Sequence, residues 1–370
     1  MRLISTFGEV LPFLVAAFAV AALLALVLTP LVLRVAIRLD NIDRPDGRRV
    51  NAAPIPRGGG VAVAVAFLVV AVGGIAINAQ TGTVPVPRTL DPSELVALLA
   101  GGVVATILGV LDDTFQLRAR WQLLGQLALA GLAVVGGITV TFLNNPFWPG
   151  NIILSEPYAM GFSMLWIVGM INSINFIDGL DGLSSGIALI AAATLGLISM
   201  TTAVGQPFIA ILCFALAGSL LGFLRWNFHP ATIFIGTSGV MFVGYTLAVL
   251  SILGSAKVAV ALLVLGVPII DTFWIIVRRL AGGRSPFTPD RGHIHHRLLD
   301  LGLSHSQTVL VIYAICVALA VLSFVLSGTG QVYAFLGLAV LFGLGLFLLT
   351  RGESGDALEA ETYEETGPAE

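Results

Sequence analysis

Eleven apolar runs, each roughly 17 to 25 residues long and bounded by polar residues or Gly/Pro breaks, divide this chain almost from end to end. They lie near 11–36, 60–79, 94–111, 121–143, 158–177, 184–204, 207–225, 238–255, 258–277, 306–327 and 331–350. At 1.5 Å rise per residue, such a run crosses about 30 Å of hydrocarbon as one helix. With 57% hydrophobic and 11% charged residues and a mean hydropathy of +0.98, the chain carries more apolar surface than one soluble core would bury. The expected fold is all-α: a polytopic transmembrane helical bundle of about eleven spans. The first run is too long for the apolar region of a signal peptide, follows Glu9 and precedes further spans, so it reads as span one.

Lys and Arg set the orientation. If the loop after span one is cytoplasmic, one side of the membrane holds fifteen arginines, among them Arg34, Arg38, Arg57, Arg118, Arg225, Arg278 and Arg297, and the other holds only Arg2, Arg88 and Lys257. The expected topology is N-terminus outside and C-terminus cytoplasmic, in the plasma membrane, with the functional face inside. Residues 351–370 carry seven of the 21 acidic residues and almost nothing apolar, so they read as a disordered cytoplasmic tail. Residues 1–350 read as a single transmembrane catalytic domain. Without the tail the formal charge changes from −3 to +3, from 17 bases and 14 acids. Cys213 and Cys316 both fall in apolar spans, which excludes a disulfide framework and a thiolate zinc site.

Polar groups near hydrocarbon are costly, so where they gather is informative. Here they gather in five inner loops. The first, from Asp43 to Gly60, has four arginines in 14 residues, ending at Arg57, before three glycines that open span two. It suits a phosphate held against backbone N–H groups at a helix start, or an anchor to lipid headgroups. The second opens with Asp112 and Asp113 at the inner end of span three. Adjacent carboxylates on a helix point about 100° apart, so one can face a site while its neighbour orients it. Both oppose the macrodipole at a helix C-terminus, so stability alone does not favour them.

In the third loop Asn175, Asp178 and Asp181 recur every three residues among glycines, sharing one oxygen-rich face on a helical or 3₁₀ turn. An EF-hand fails on spacing and on the missing bidentate Glu. The fourth, from Arg225 to Gly239, contains Asn227 and Thr237 and by itself is a polar turn. The fifth contains Asp290-Arg-Gly-His293-Ile-His295-His296-Arg297, with three of the five histidines and two arginines within seven residues. Zinc would lack an evident fourth ligand, whereas Arg and His donors suit a sugar and a pyrophosphate. Asp271, in the inner half of span nine, either supports this site or pairs with Arg278 or a backbone group.

Taken in order, Pro54-Ile-Pro-Arg-Gly-Gly59, Asp112-Asp113, Asn175-Phe-Ile-Asp-Gly-Leu-Asp-Gly182, Asn227-Phe-His-Pro-Ala231 and Asp290 to Arg297 resemble the polyprenyl-phosphate N-acetylhexosamine-1-phosphate transferases over roughly residues 10 to 330. The His-Ile-His-His form is more similar to the branch using UDP-N-acetylglucosamine than to the phospho-N-acetylmuramoyl-pentapeptide translocases. The resemblance implies a Mg²⁺-dependent enzyme, with Mn²⁺ as an alternative ion, in which a polyprenyl phosphate such as undecaprenyl phosphate attacks the β-phosphate of a UDP-sugar and UMP leaves. The product would start a lipid-linked glycan of the cell envelope.

The same resemblance implies catalytic roles for Asp112, Asp113, Asp178 and His295. Arg57, Asp181, Asn227, His293, His296 and Arg297 would bind substrate, and Asn175, Asp178 and position 237 would bind metal. It also marks departures. Thr237 stands where an aspartate that looks like a direct Mg²⁺ ligand is usual, Asn51 where a His is usual, and Gln122 where a Lys is usual. Losing one negative ligand weakens metal affinity unless Asp112, Asp113, Asp178 or Asp181 compensates. The partners expected are therefore the UDP-sugar, the lipid phosphate and the membrane, with a homodimer expected and no nucleic acid. Two other readings stand beside this one: a lipid- or nucleotide-binding relative without turnover, motivated by Thr237, and an ion-coupled transporter, motivated by Asp271. The transporter is disfavoured because the acids and histidines cluster at helix ends rather than at a repeated midplane site.

Overall fold

The computed structural model describes residues 6–44, 54–87, 90–145, 147–148, 150–253, 257–283, 285, 292–326 and 328–345. The acidic tail lies outside the described residues, as do Asn51, Asp290 and Arg291. The fold is all-α, as the apolar runs require, because a backbone surrounded by lipid must satisfy its hydrogen bonds within each segment. The helices are α1 (Phe7–Arg38), α2 (Gly60–Thr81), α3 (Pro92–Phe115), α4 (Ala119–Val135), α5 (Glu156–Ile177), α6 (Leu183–Ser199), α7 (Pro207–Asn227), α8 (Gly236–Leu253), α9 (Lys257–Val264), α10 (Gly266–Ala281), α11 (Ile294–Asp300), α12 (His305–Val325) and α13 (Thr329–Gly345).

Each of the eleven apolar runs carries a helix or a helix pair. Among the described residues seven helices are long and apolar enough to cross a membrane, or eight if α9 and α10 form one bent span; α4, α6 and α13 are shorter apolar helices. The run near 258–277, expected as one straight span, is instead bent by 77° between α9 and α10. Two antiparallel strand pairs were not expected: β1 (Ile42–Asp43) with β2 (Ile55–Pro56) in a stretch read as loop, and β3 (Phe142–Asn144) with β4 (Asn151–Ile153), where β3 takes the last residues of the run near 121–143.

The bundle is most buried at α7 and α8. Every residue of α8 from Ser238 to Ser251 is buried, while Leu23, Val27, Ile107 and Val321 on the peripheral helices α1, α3 and α12 expose large apolar side chains. Apolar groups turned outward, with small residues inside, are what lipid as a solvent selects. Gly218 and Gly222 let α7 lie directly on α1, since a Cβ at either would overlap the carbonyl oxygen of Phe18 or Ala22. Gly222→Leu is expected to cost about 1–3 kcal/mol of stability by overpacking this crossing. A thermal melt of the purified variant in detergent, unchanged from the parent, would contradict that.

Close backbone approach also organises one end of the bundle. Gly60 at the start of α2 and Gly109 in α3 pack against the backbone of Gly239 and Ser238, leaving no space for side chains at the N-terminus of α8. Segments 56–60 and 234–235 bind each other directly: Phe234 N–H donates to Pro56 O at 2.9 Å, and the N–H groups of Gly59 and Gly60 donate to Phe234 O and Ile235 O at 2.9 and 2.8 Å. The C-terminal ends of α1, α3, α5 and α7 and the N-terminal ends of α2, α6, α8 and α12 thereby converge on one polar region.

Candidate active site

A cavity of about 870 Å³ opens at this end. Its wall includes Asp43, Arg57, Asp113, Asn175, Asp178, Asp181, Asn227, His229, Thr237, His296 and His305. Four of the five loops singled out in the sequence supply the expected residues directly, and the fifth supplies His296.

Asp113 sits in the last turn of α3 and is buried. Its Oδ1 accepts from Thr237 N–H at 2.8 Å and its Oδ2 from Ser238 N–H at 3.0 Å, so it caps the N-terminus of α8. That placement offsets the penalty of an acid at the α3 C-terminus, because the same charge faces the positive end of another helix dipole. Asp112 turns away from the cavity: its Oδ1 accepts from Leu117 N–H at 3.0 Å and from the Gln122 amide at 2.7 Å, closing the α3–α4 connection. Arg57 contacts Asp43 across the first hairpin, and both line the cavity.

Asn175 lies in the last turn of α5, and its side-chain amide makes no hydrogen bond among the described residues. Asp178 follows as the C-cap of α5, with Oδ1 accepting from Ser184 Oγ at 2.5 Å. Burial pushes the Asp178 carboxyl up to about 7; the Ser184 hydroxyl opposes this, the Asp113 charge adds to it, and Arg57 again opposes it. Asn175, in the last turn of α5, and Asp178 and Asp181, in the turn that follows it, all line the cavity. Thr237, the neutral residue in place of an acid, lines it beside Asp113.

Several expected contact residues are held by the protein instead. Asn227 is in the wall, yet its Oδ1 accepts from Ser185 Oγ at 2.7 Å and its Nδ2 donates to Ile233 O at 3.1 Å, so it shapes the α7–α8 loop. His293, His295 and Arg297 do not line the cavity. His293 Nδ1 donates to Asp271 Oδ2 at 2.7 Å, and Ile294 N–H donates to Asp271 Oδ1 at 2.9 Å. Of the alternatives for Asp271, the pairing with a backbone group is therefore present, at Ile294 N–H, together with a side-chain bond to His293.

His295 is 1% exposed, so it cannot touch a ligand as a catalytic group in this arrangement. Its ring packs on the Gly179 backbone, where any Cβ would overlap Nε2, stacks on His293 with centroids 5.5 Å apart and meets His296 at a tilt of 43° with centroids 4.4 Å apart. Burial holds its imidazole well below the usual histidine range, reinforced by the neighbouring His296, His293 and His305. His295 therefore lies behind the Asp178–Gly179 turn as a neutral ring.

Two cavity histidines went unassigned from sequence. His229 lies in the α7–α8 loop, where its motif was visible but no role was attached to it. His305, the first residue of α12, carries no signal beyond its place after the Ser304 cap, whose capping box with Gln307 starts the helix. Both are bound to Asp181. His229 Nδ1 lies 2.7 Å from Asp181 Oδ2, and Asp181 N–H donates to His305 Nε2 at 2.8 Å.

The cavity therefore gathers carboxylates, an amide with no partner among the described residues, and a guanidinium bonded to Asp43. This arrangement can hold a hard cation and orient phosphate groups.

The sequence pattern of glycosyl transferase family 4 matches residues 95–255. The chain is 37% identical over 346 residues to a probable undecaprenyl-phosphate N-acetylglucosaminyl 1-phosphate transferase of Bacillus subtilis (strain 168), covering 90% of each chain. It is 33% identical over 319 residues to a decaprenyl-phosphate N-acetylglucosaminephosphotransferase of Mycobacterium leprae, covering 79% of this chain and 78% of that one. An undecaprenyl-phosphate alpha-N-acetylglucosaminyl 1-phosphate transferase of Yersinia pestis is 27% identical over 301 residues, 78% of each.

Proposed function

The chain belongs to glycosyl transferase family 4, and from that premise we propose that it transfers N-acetylglucosamine 1-phosphate from UDP-N-acetylglucosamine to a polyprenyl phosphate, releasing UMP. An oxygen of the lipid phosphate attacks the β-phosphorus of the sugar nucleotide, and the bond from that phosphorus to the UMP oxygen breaks. The observation that carries this reading is the grouping of Asp113, Asn175, Asp178 and Arg57 in one cavity at the ends of membrane helices. A phosphate anchored in lipid and a nucleotide arriving from water can meet there. Because the second phosphate ionisation lies near pH 6, the nucleophile is largely deprotonated at neutral pH, and positioning contributes more than proton removal.

The helix ends that meet the cavity are those on the arginine-rich side of the chain, which supports a site on the cytoplasmic face of the plasma membrane. Magnesium fits the residues present. The donors at Asn175, Asp178, Asp113 and Thr237 are all oxygen, and Asp178 is a carboxylate whose burial, only partly offset by Ser184 and Arg57, pushes its pKa to about 7. Magnesium bound there would neutralise charge that builds on the diphosphate and the departing UMP. Arg57 supplies planar N–H donors to phosphate oxygens, and His296 adds a polar group from the α11 side.

The test is UMP release by the purified protein in detergent with undecaprenyl phosphate, UDP-N-acetylglucosamine and a Mg²⁺ series. Lipid- and Mg²⁺-dependent UMP is expected; binding of the UDP-sugar without UMP at any divalent-ion concentration would replace enzyme by binding protein. In the same assay Thr237→Asp is expected to lower the half-saturating Mg²⁺ by about tenfold, because a charged oxygen beside the site strengthens a hard-ion contact by roughly 1.4 kcal/mol. An unchanged half-saturation point would remove position 237 from the metal set.

A further inference from the structure

We propose that His229 is a recognition group of this site: its Nε2 accepts a hydrogen bond from a hydroxyl of the bound sugar nucleotide, with Asp181 and His305 as the positioning residues that aim it. The inference rests on the function proposed above and adds a residue that neither the sequence nor the comparisons assign.

The geometry leaves His229 one free nitrogen. A carboxylate only accepts, so at 2.7 Å from Asp181 Oδ2 the Nδ1 of His229 must carry the proton. That tautomer leaves a lone pair on Nε2, which has no partner among the described residues. The ring plane is fixed as well, because His229 stacks on His305 with centroids 4.1 Å apart and planes 16° from parallel. A donor bond through one edge and a stack on one face together set where Nε2 points. His229 lines the cavity, and its side chain is 40% exposed, against 10% for Asp181 and 14% for His305. The water-facing member of the trio meets the soluble substrate, whereas a lipid phosphate enters from the bilayer.

Asp181 Oδ2 and His305 Nε2 are engaged in the aiming. Asp181 Oδ2 also accepts from Ala231 N–H at 3.1 Å, which ties the α7–α8 loop to the α5–α6 turn. His305 Nε2 accepts the Asp181 N–H and so carries no proton on that nitrogen. The three groups lie within 4.8 Å of one another, close enough for a cation, but the nitrogens facing Asp181 are already engaged, one donating and one accepting. An acceptor aimed at the cavity is the reading that uses this arrangement as it stands. It also divides the work of the site: phosphates go to the side of Arg57, Asp178 and Asp113, and hydroxyls, which need an acceptor, to His229.

The experiment measures KM for UDP-N-acetylglucosamine and for undecaprenyl phosphate, and direct binding of UDP-N-acetylglucosamine by calorimetry, on the full chain in detergent. His229→Ala is expected to raise KM and Kd for the sugar nucleotide about 5- to 10-fold, the size of one lost neutral hydrogen bond, with kcat and the lipid KM within about twofold. His229→Gln, whose amide oxygen can stand where Nε2 stood, is expected to recover most of that loss. His305→Ala is expected to reproduce part of the KM rise without contacting substrate. Lowered thermal stability with unchanged sugar-nucleotide KM and Kd in His229→Ala would make the trio a structural clasp and overturn the proposal. Equal failure of the Ala and Gln variants would remove the acceptor role. Absence of UDP-N-acetylglucosamine binding by the unmodified protein would instead overturn the parent reading, and this inference with it.

Discussion

Asp178→Asn is expected to lower kcat/KM for UMP release at pH 8 by about 10²- to 10⁴-fold while raising the stability of the ligand-free protein at the same pH. The two effects have one origin. Burial raises the Asp178 carboxyl from an ordinary 3.8 to about 7, so between these values the folded protein holds a proton that the unfolded chain has released. Stability from this group therefore falls as pH rises from about 4 to 7 and stays low above it. The Asn variant removes that fall.

Activity runs the other way. A carboxylate that must hold a divalent ion works only when ionised, so at sub-saturating Mg²⁺ kcat/KM of the unmodified protein should rise through about pH 7, the limb should move to lower pH as Mg²⁺ is raised, and Asp178→Asn should abolish that Mg²⁺-dependent movement. pH–rate profiles at low and high Mg²⁺ and a melt series at pH 5, 7 and 8 read both. Retained turnover with that movement intact would take Asp178 out of the site. Lost turnover without the gain in stability would mean that the carboxylate is held down by a partner other than a bound ion.

Opposite signs for stability and turnover at one residue are the mark of a site maintained against the preference of the fold. That is also why this part of the molecule was legible in the sequence. Asn175, Asp178 and Asp181 stood out because hydrocarbon neighbours make every carboxylate conspicuous, and their spacing of three placed them on one face. The helices were legible for the same reason, since length and apolarity suffice where lipid is the solvent. The break between α9 and α10 has a local signal that the unbroken apolar run hides: Pro268, in the first turn of α10, has no N–H for the carbonyl of Val264 four residues back and its ring crowds that carbonyl, while Gly266 beside it packs against Leu338, 72 positions away.

The histidines show where pattern reading stops. A dense run at His293, His295 and His296 signals a site, yet density cannot tell a group facing the cavity from one packed behind it. His296 faces the cavity, whereas His295 is buried on Gly179 and His293 is held by Asp271. His305 stands alone in sequence and gains its role only through Asp181, 124 positions away. Asn227 was legible as special and misleading as to why, because its amide is used by Ser185 and Ile233.

The adjacent aspartates give the sharpest contrast. Asp113→Asn is expected to cut turnover at least about 100-fold and to lower the melting temperature, whereas Asp112→Asn should cost about tenfold or less in turnover. Helical geometry turns the two side chains about 100° apart, and the structure uses that angle fully. Asp113 reaches the cavity and accepts two N–H groups at the start of the most buried helix. An Asn there must point its NH₂ at one of those N–H groups, leaving a buried donor unpaired at a cost of about 1–3 kcal/mol. It also removes a negative charge from the wall that faces Asp178.

Asp112 uses a single oxygen to close the α3–α4 turn through Leu117 and Gln122, outside the cavity wall. An Asn can keep its carbonyl oxygen in that place, so the turn survives and the site shifts little. UMP release and melting curves for the two variants, side by side, decide the matter. Equal collapse of turnover with unchanged melting in both would show that the pair acts on substrate as a unit, and that Asp112 turns into the cavity when lipid and nucleotide are bound.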